Sequence, residues 1–311
     1  MNKQRLQELV REILPDVALD QEAQGMHFDL YSKEYNIGID IWTILEHTYA
    51  ALIKYNYPQG KEEDLFCSEH FDEAKQIENG HQEKAKQAIE KGIMLYSFWE
   101  SELDDVKQQE IMLEMIASRI GKFEKRLNAR DCEVKEISAT ECKRFLEENH
   151  WQGNVNSKAK IALIHKTEGI VALQCYAIVR NIGWNLKRTV FRRRYQVRGG
   201  ISKMFKYFIK TYDPEQVIDY TDIREFPLKH FHDKMGFNPN SEVCKPCCYF
   251  ADIKTGKIVN RETCRKGNMG LIWDDNLTWC QNRVNNGLYK AWDSGKLVNV
   301  WKKNSTDISI E

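Results

Sequence analysis

The chain has 311 residues, 46 Lys and Arg against 46 Asp and Glu, 42% hydrophobic and 30% charged residues. That length predicts about two domains, and the apolar share is enough for true cores. No stretch approaches ~18 uninterrupted apolar residues, which excludes a membrane-spanning helix.

Residues 3–14 place Leu6, Leu9, Val10, Ile13 and Leu14 on one helical stripe that Pro15 ends. This charged start has no apolar signal-peptide core, so the chain is expected in the cytoplasm, with its nine cysteines as reduced thiols. Met26–Tyr31 and Asn36–Ile41 then read as a β-hairpin across the turn 32–35, with Asp29 on the first strand and Asp40 on the second. The acidic stretch Pro58–Gly80 reads as an inserted loop or lid. A helix over 81–91 stops at Gly92. Ile93–Trp99 follows as a buried strand that runs into Glu100-Ser101-Glu102. A long helix is expected over 104–127.

The second half restarts with a strand, Cys132–Ile137, and a capping box, Ser138 to Glu141, opens a helix to Asn149. Three strands are expected near 160–165, 170–180 and 187–195. Gly199-Gly200 opens a helix over 201–210, and Asp213-Pro214 breaks it. A strand over 216–220, a helix over 226–235 and a strand over 243–253 follow. This β-α-β-β-β-(Gly loop)-α-β-α-β order matches the GNAT acyltransferase fold. The fold class is therefore α/β (α+β), with domains expected over 1–127 and 128–311, the second carrying a C-terminal extension.

Charge divides the halves. Residues 1–126 carry a net −10 and residues 127–311 a net +10. Lys158–Lys210 holds 13 basic residues against the one acid Glu168. Such a run is the footprint expected for a polyanion, most often nucleic acid, although a solvated basic surface has the same composition. Arg192, Arg193, Arg194, Arg198, Lys203, Lys206 and Lys210 are the candidate phosphate contacts.

Three further sets could carry chemistry. Asp29, Asp40, His47, His81, Glu100 and Glu102 supply hard oxygen donors and a candidate general base. Asp29, Asp40 and Glu100 are the candidate ligands of Mg²⁺ or another divalent cation. Gln196-Val197-Arg198-Gly199-Gly200-Ile201 partly fits a pyrophosphate-cradling loop. By analogy with GNAT-like DNA-modification enzymes, His150, Gly199, Gly200 and Asp222 become an alternative transferase site. Cys244, Cys247 and Cys248, with Cys264 and Cys280, could bind zinc or simply be buried thiols.

The string Phe28-Asp29-Leu30-Tyr31, Ile37-Gly38-Ile39-Asp40, His47, His81 with Lys84 and Lys86, and Ile93–Trp99 before Glu100-Ser101-Glu102 resembles a known nuclease domain. It is that of the phage-borne free-standing homing endonucleases, which are similar to the very-short-patch-repair (Vsr) nuclease. The resemblance continues through Asn128–Cys132, Glu148–Gly153, Gly199–Lys210, Met235–Phe237 and Gly287–Gly295, and so spans nearly the whole chain. It implies a metal-dependent, restriction-endonuclease-like (Vsr-type) domain followed by a GNAT-like domain that binds double-stranded DNA. If phage-encoded, the protein would work in the cytoplasm of the infected host cell. The alternatives are a GNAT-type DNA-modifying acyltransferase and a nuclease-inactive DNA-binding or DNA-mimicking protein.

Overall fold

The computed structural model describes residues 3–48, 71–180, 182–224, 232, 235–238, 243–259, 264–267 and 270–303, with backbone only for 71–74 and 280. In chain order the elements are α1 (Lys3–Val10), β1 (Ala18–Ala23), β2 (Met26–Ser32), β3 (Ile37–Trp42), α2 (Phe71–Glu90) and β4 (Met94–Trp99). There follow α3 (Val106–Arg119), β5 (Lys125–Asn128), β6 (Cys132–Glu136), α4 (Ala139–Asn149), β7 (Ala159–His165), β8 (Gly169–Val179), β9 (Gly183–Phe191) and β10 (Tyr195–Arg198). The chain continues through α5 (Gly200–Tyr212), β11 (Gln216–Asp222), β12 (Cys248–Asp252), β13 (Lys257–Val259), α6 (Trp279–Asn285), β14 (Leu288–Trp292) and β15 (Lys296–Lys302). It is a mixed α/β protein. Among the described residues no helix is long and apolar enough to cross a membrane.

The chain divides into two compact units, and the line does not fall as one cut near residue 127. The first joins Met1–Val106 to Asp222–Leu228 and Cys244–Lys296. The second joins Lys107–Thr221 to Lys229–Val243 and Leu297–Glu311.

In the first unit the hairpin forms as expected and extends by a sheet of order β1-β2-β3-β4. β2 runs antiparallel to β3, and β4 runs parallel to β3 in the register Ile37↔Met94 to Trp42↔Trp99. Every residue of β3 is buried, which suits a strand with neighbours on both edges. β1 was not expected, since Ala-Leu-Asp-Gln-Glu-Ala alternates poorly; it pairs only with β2, as an edge strand. α2 begins ten residues before the expected position 81; residues 58–70 of the acidic stretch lie outside the described residues. A second sheet, β13-β12-β14, completes the unit, and Trp42, Trp99 and Ala291 share one buried cluster with Tyr249 and Ile258 against it.

The second unit centres on a six-stranded sheet of order β15-β11-β9-β8-β7-β6. β6 to β9 are antiparallel neighbours, and β9 then pairs parallel with β11. The connection between them carries α5, whose Met204, Phe205 and Phe208 enter the core. Tyr176 lies flat on Phe208, with centroids 3.7 Å apart. The expected capping box is present with both arms made, Glu141 N–H donating to Ser138 and Ser138 N–H to Glu141.

Two expectations change here. The helix expected over 104–127 is α3 alone, which ends before Gly121, at a φ of 76°. Residues beyond it form β5, paired parallel with β10 from Lys125↔Tyr195 to Asn128↔Arg198. The strand expected near 187–195 is accordingly two, β9 and β10. Most of the helix expected over 226–235 lies outside the described residues, and the strand expected over 243–253 is confined to β12.

Candidate functional site

The pairing of β2 and β3 runs through Ser32↔Ile37, Tyr31↔Gly38 and Leu30↔Ile39, so Asp29 and Asp40 occupy the next rung. Side chains take over the backbone's work there. Ile41 N–H donates to Asp29 Oδ2 at 2.7 Å, and the Asp29 amide in turn favours the charged Asp40 carboxylate. Aspartates compete in this way with ladder bonds. Each carboxylate meets a lysine from a different helix. Asp29 Oδ1 lies 2.6 Å from Lys3 Nζ on α1, and Asp40 Oδ2 lies 2.6 Å from Lys84 Nζ on α2. Asp40 is only 4% exposed, and its Oδ1 is buried with no hydrogen-bond partner among the described residues. Burial raises its pKa, Lys84 opposes that rise, and the charge of Asp29 adds to it.

His47 follows β3 and His81 lies on α2. Their rings meet with His47 Nδ1 2.9 Å from His81 Nε2, while His81 Nδ1 stands 2.8 Å from the Trp292 carbonyl. A carbonyl only accepts, so His81 Nδ1 carries the proton and its Nε2 is the acceptor. His47 Nδ1 must then donate, which leaves His47 Nε2 with a lone pair. Burial drives the pKa of His81 down to about 3, with His47 adding to the fall, and burial also lowers His47. Trp42 stacks on the His81 ring at 3.6 Å and 4°, and Trp99 meets it edge-on. The imidazole is thus fixed in place, tautomer and charge.

The acids after β4 serve the backbone instead. Glu100 Oε1 accepts from Ile44 N–H at 3.2 Å, and Ser101 Oγ accepts from Ile258 N–H at 3.3 Å. Glu102 accepts from Trp99 N–H and binds the Arg224 guanidinium through both oxygens, at 2.6 and 3.0 Å. Among the described residues no group of three or more His, Cys, Asp or Glu is arranged to hold a metal ion. Of the three expected cation ligands, Asp29 and Asp40 are brought side by side, and Glu100 is held at the Ile44 amide. Cys264 of the possible zinc set packs with Phe250 and Leu288, and the Cys280 side chain lies outside the described residues.

In the second unit most of the basic run is engaged internally. Arg192 donates to the Glu168 carbonyl at 2.6 Å and lies over Tyr195. Arg193 pairs with Glu110, and Arg194 with Glu114 and Glu124. Lys203 donates to the carbonyls of Ala129 and Cys132. Arg198, Lys206 and Lys210 are exposed, with the two lysines one helical turn apart on α5. These three alone of the seven have no partner among the described residues.

Gly199 caps α5 at a φ of 73°, and Gly200 is pressed into the core. A Cβ at Gly200 would stand 3.0 Å from Leu163 Cδ1, 3.1 Å from Phe191 Cε1 and 3.4 Å from Val197 Cβ. Ile201 packs on the same core. Gly200 therefore serves close packing, and Gly199 serves the left-handed turn into α5. His150 ends α4, accepts Gln152 N–H on Nδ1 and is held neutral by burial, its pKa lowered to about 3. Asp222, in the first unit, accepts Arg224 N–H on Oδ1, and its buried Oδ2 has no partner among the described residues.

Lys3 and the Trp292 carbonyl were not anticipated as site components. Lys84 stood beside His81 only as part of the resemblance to the nuclease domain, with no role given to it. Comparison of the chain with protein-family models, with curated proteins and with solved structures found no match.

Proposed function

We propose that the protein is a divalent-cation-dependent DNA endonuclease, with its chemistry at Asp29, Asp40, Lys84, His47 and His81. The observation that carries this is Asp40: a buried carboxylate beside a second one, paired to a lysine on one oxygen and unpartnered on the other. Mg²⁺ commonly takes one or two carboxylates, keeps several waters and completes its shell with substrate phosphate, so Asp29 and Asp40 suffice as its protein ligands. A bound cation would supply charge stabilisation to a phosphodiester and a more acidic water. The chain's own residues supply the rest. His47 Nε2 can accept a proton while its Nδ1–H stays bonded to His81, so the ring takes up charge without turning. Lys84 opposes the rise that burial imposes on the Asp40 pKa and so favours the carboxylate a cation would need. In the second unit Arg198, Lys206 and Lys210 are the residues available to phosphate. The helix-bearing parallel crossover from β9 to β11, after four antiparallel strands, supports a GNAT-like scaffold for this DNA-binding part, just as the β1-β2-β3-β4 sheet with its two aspartates supports a Vsr-like one. The transferase alternative has the weaker support, because Gly200 and Ile201 are spent on the core.

The test is nicking of supercoiled plasmid with and without Mg²⁺, by the wild type, D40N and H47A. Cleavage that needs Mg²⁺, is lost in D40N and falls ~10²-fold or more in H47A is expected. Undiminished cleavage by folded D40N would refute the assignment.

A further inference from the structure

Two thiols that take no part in the proposed nuclease chemistry meet inside the second unit. Cys142 lies in the first turn of α4 and Cys175 in the middle of β8, with sulfurs 3.5 Å apart. Both are buried, among Phe145, Leu146, Leu173 and Val190. Their surroundings are unusual for inert core cysteines. Cys175 has Lys160 of β7 and Arg188 of β9 as its register partners, one on each side. Cys142 sits at the positive end of a capped helix. The contact with Cys175 lowers the Cys142 pKa, the nearby Lys160 adds to the fall, and Cys175 is pushed the other way.

We propose that Cys142 and Cys175 form a peroxide-sensitive dithiol, which hydrogen peroxide converts to an intramolecular disulfide tying α4 to β8. The Cys142 thiolate attacks one peroxide oxygen, forming an S–O bond as the O–O bond breaks, and the leaving hydroxide takes a proton to become water. Cys175 sulfur then attacks the sulfenic sulfur. The S–S bond forms, the S–O bond breaks, and the hydroxyl leaves as water with the Cys175 proton. Two thiols are oxidised and one peroxide is reduced to two waters. A small oxidant is the fitting one, since no bulky disulfide reaches sulfurs this deeply covered.

The test uses the full-length protein, treated with hydrogen peroxide under native conditions, alkylated and mapped by mass spectrometry. A Cys142–Cys175 linkage, reversed by dithiothreitol and accompanied by a reversible rise in Tm, is expected. C142S and C175S should each abolish both the linkage and the rise. Cys142 recovered as the free thiol or as sulfinic acid, or a linkage that appears only in denaturant, would overturn the proposal; the wild-type map decides this even if a variant fails to fold.

Discussion

Acidification should destabilise the protein through His81, and the size of the effect follows from its surroundings. The ring is a base whose folded pKa, about 3, lies below its ordinary 6.5. Its contribution is therefore fully present above pH 6.5 and is lost as pH falls toward 3. At pH 5 the unfolded imidazole is almost wholly protonated and the folded one almost wholly neutral. The difference from neutral pH is then about 1.5 pH units at 1.36 kcal/mol each, or about 2 kcal/mol. The measurement is urea unfolding at pH 7 and pH 5 for the wild type and for His81→Phe, which keeps a ring against Trp42. Asp40, whose raised pKa works in the opposite sense, and His150, which works in the same sense, are present in both proteins and drop out of the comparison. The wild type should lose about 2 kcal/mol more than the variant between the two pH values. Equal losses would show that His81 is protonated in the folded protein, and the tautomer chain through Trp292 would fall with it.

Reversing Arg198, Lys206 and Lys210 to Glu together should weaken DNA binding and lower the slope of log affinity against log salt by about 3, as measured by fluorescence anisotropy over a salt series. An unchanged slope would remove these residues from the interface. Reversing Arg193 and Arg194 should instead cost stability, ~1 kcal/mol or less for each exposed pair, visible as a lower urea midpoint. Gly200→Ala should cost ~1–3 kcal/mol in the same assay, because Leu163 and Phe191 occupy the space a methyl group would need. Calorimetric titration with acetyl-CoA should give no micromolar binding; a well-defined micromolar isotherm would restore the transferase alternative.

What was legible in the sequence was local. The hairpin of β2 and β3 follows from alternation around a polar turn, and it carries Asp29 and Asp40 onto one rung without further information. The capping box at Ser138 and Glu141 and the buried run before Glu100 are equally short-range signals. What stayed hidden depends on partners far along the chain. Lys125–Asn128 continues a helical pattern when read alone, and becomes a strand because Tyr195–Arg198 offers an edge. Arg193 and Arg194 read as phosphate contacts until α3 supplies Glu110 and Glu114. Glu100 reads as a cation ligand until the Ile44 amide claims it. The Trp292 carbonyl is a backbone group, and no residue type announces it.

That carbonyl sets an order in time. His81 finds its acceptor 211 residues downstream, on a strand that joins the first unit near the end of the chain. During synthesis, which proceeds at ~5–20 residues per second, the hairpin and α2 leave the ribosome well before β14. For roughly 10 to 40 seconds the nascent protein holds its aspartates and histidines without the group that fixes the imidazole tautomer. A chain cut short before Trp292 would carry every proposed catalytic side chain and still lack the orienting contact. The orientation of the histidine pair is thereby tied to the synthesis of β14.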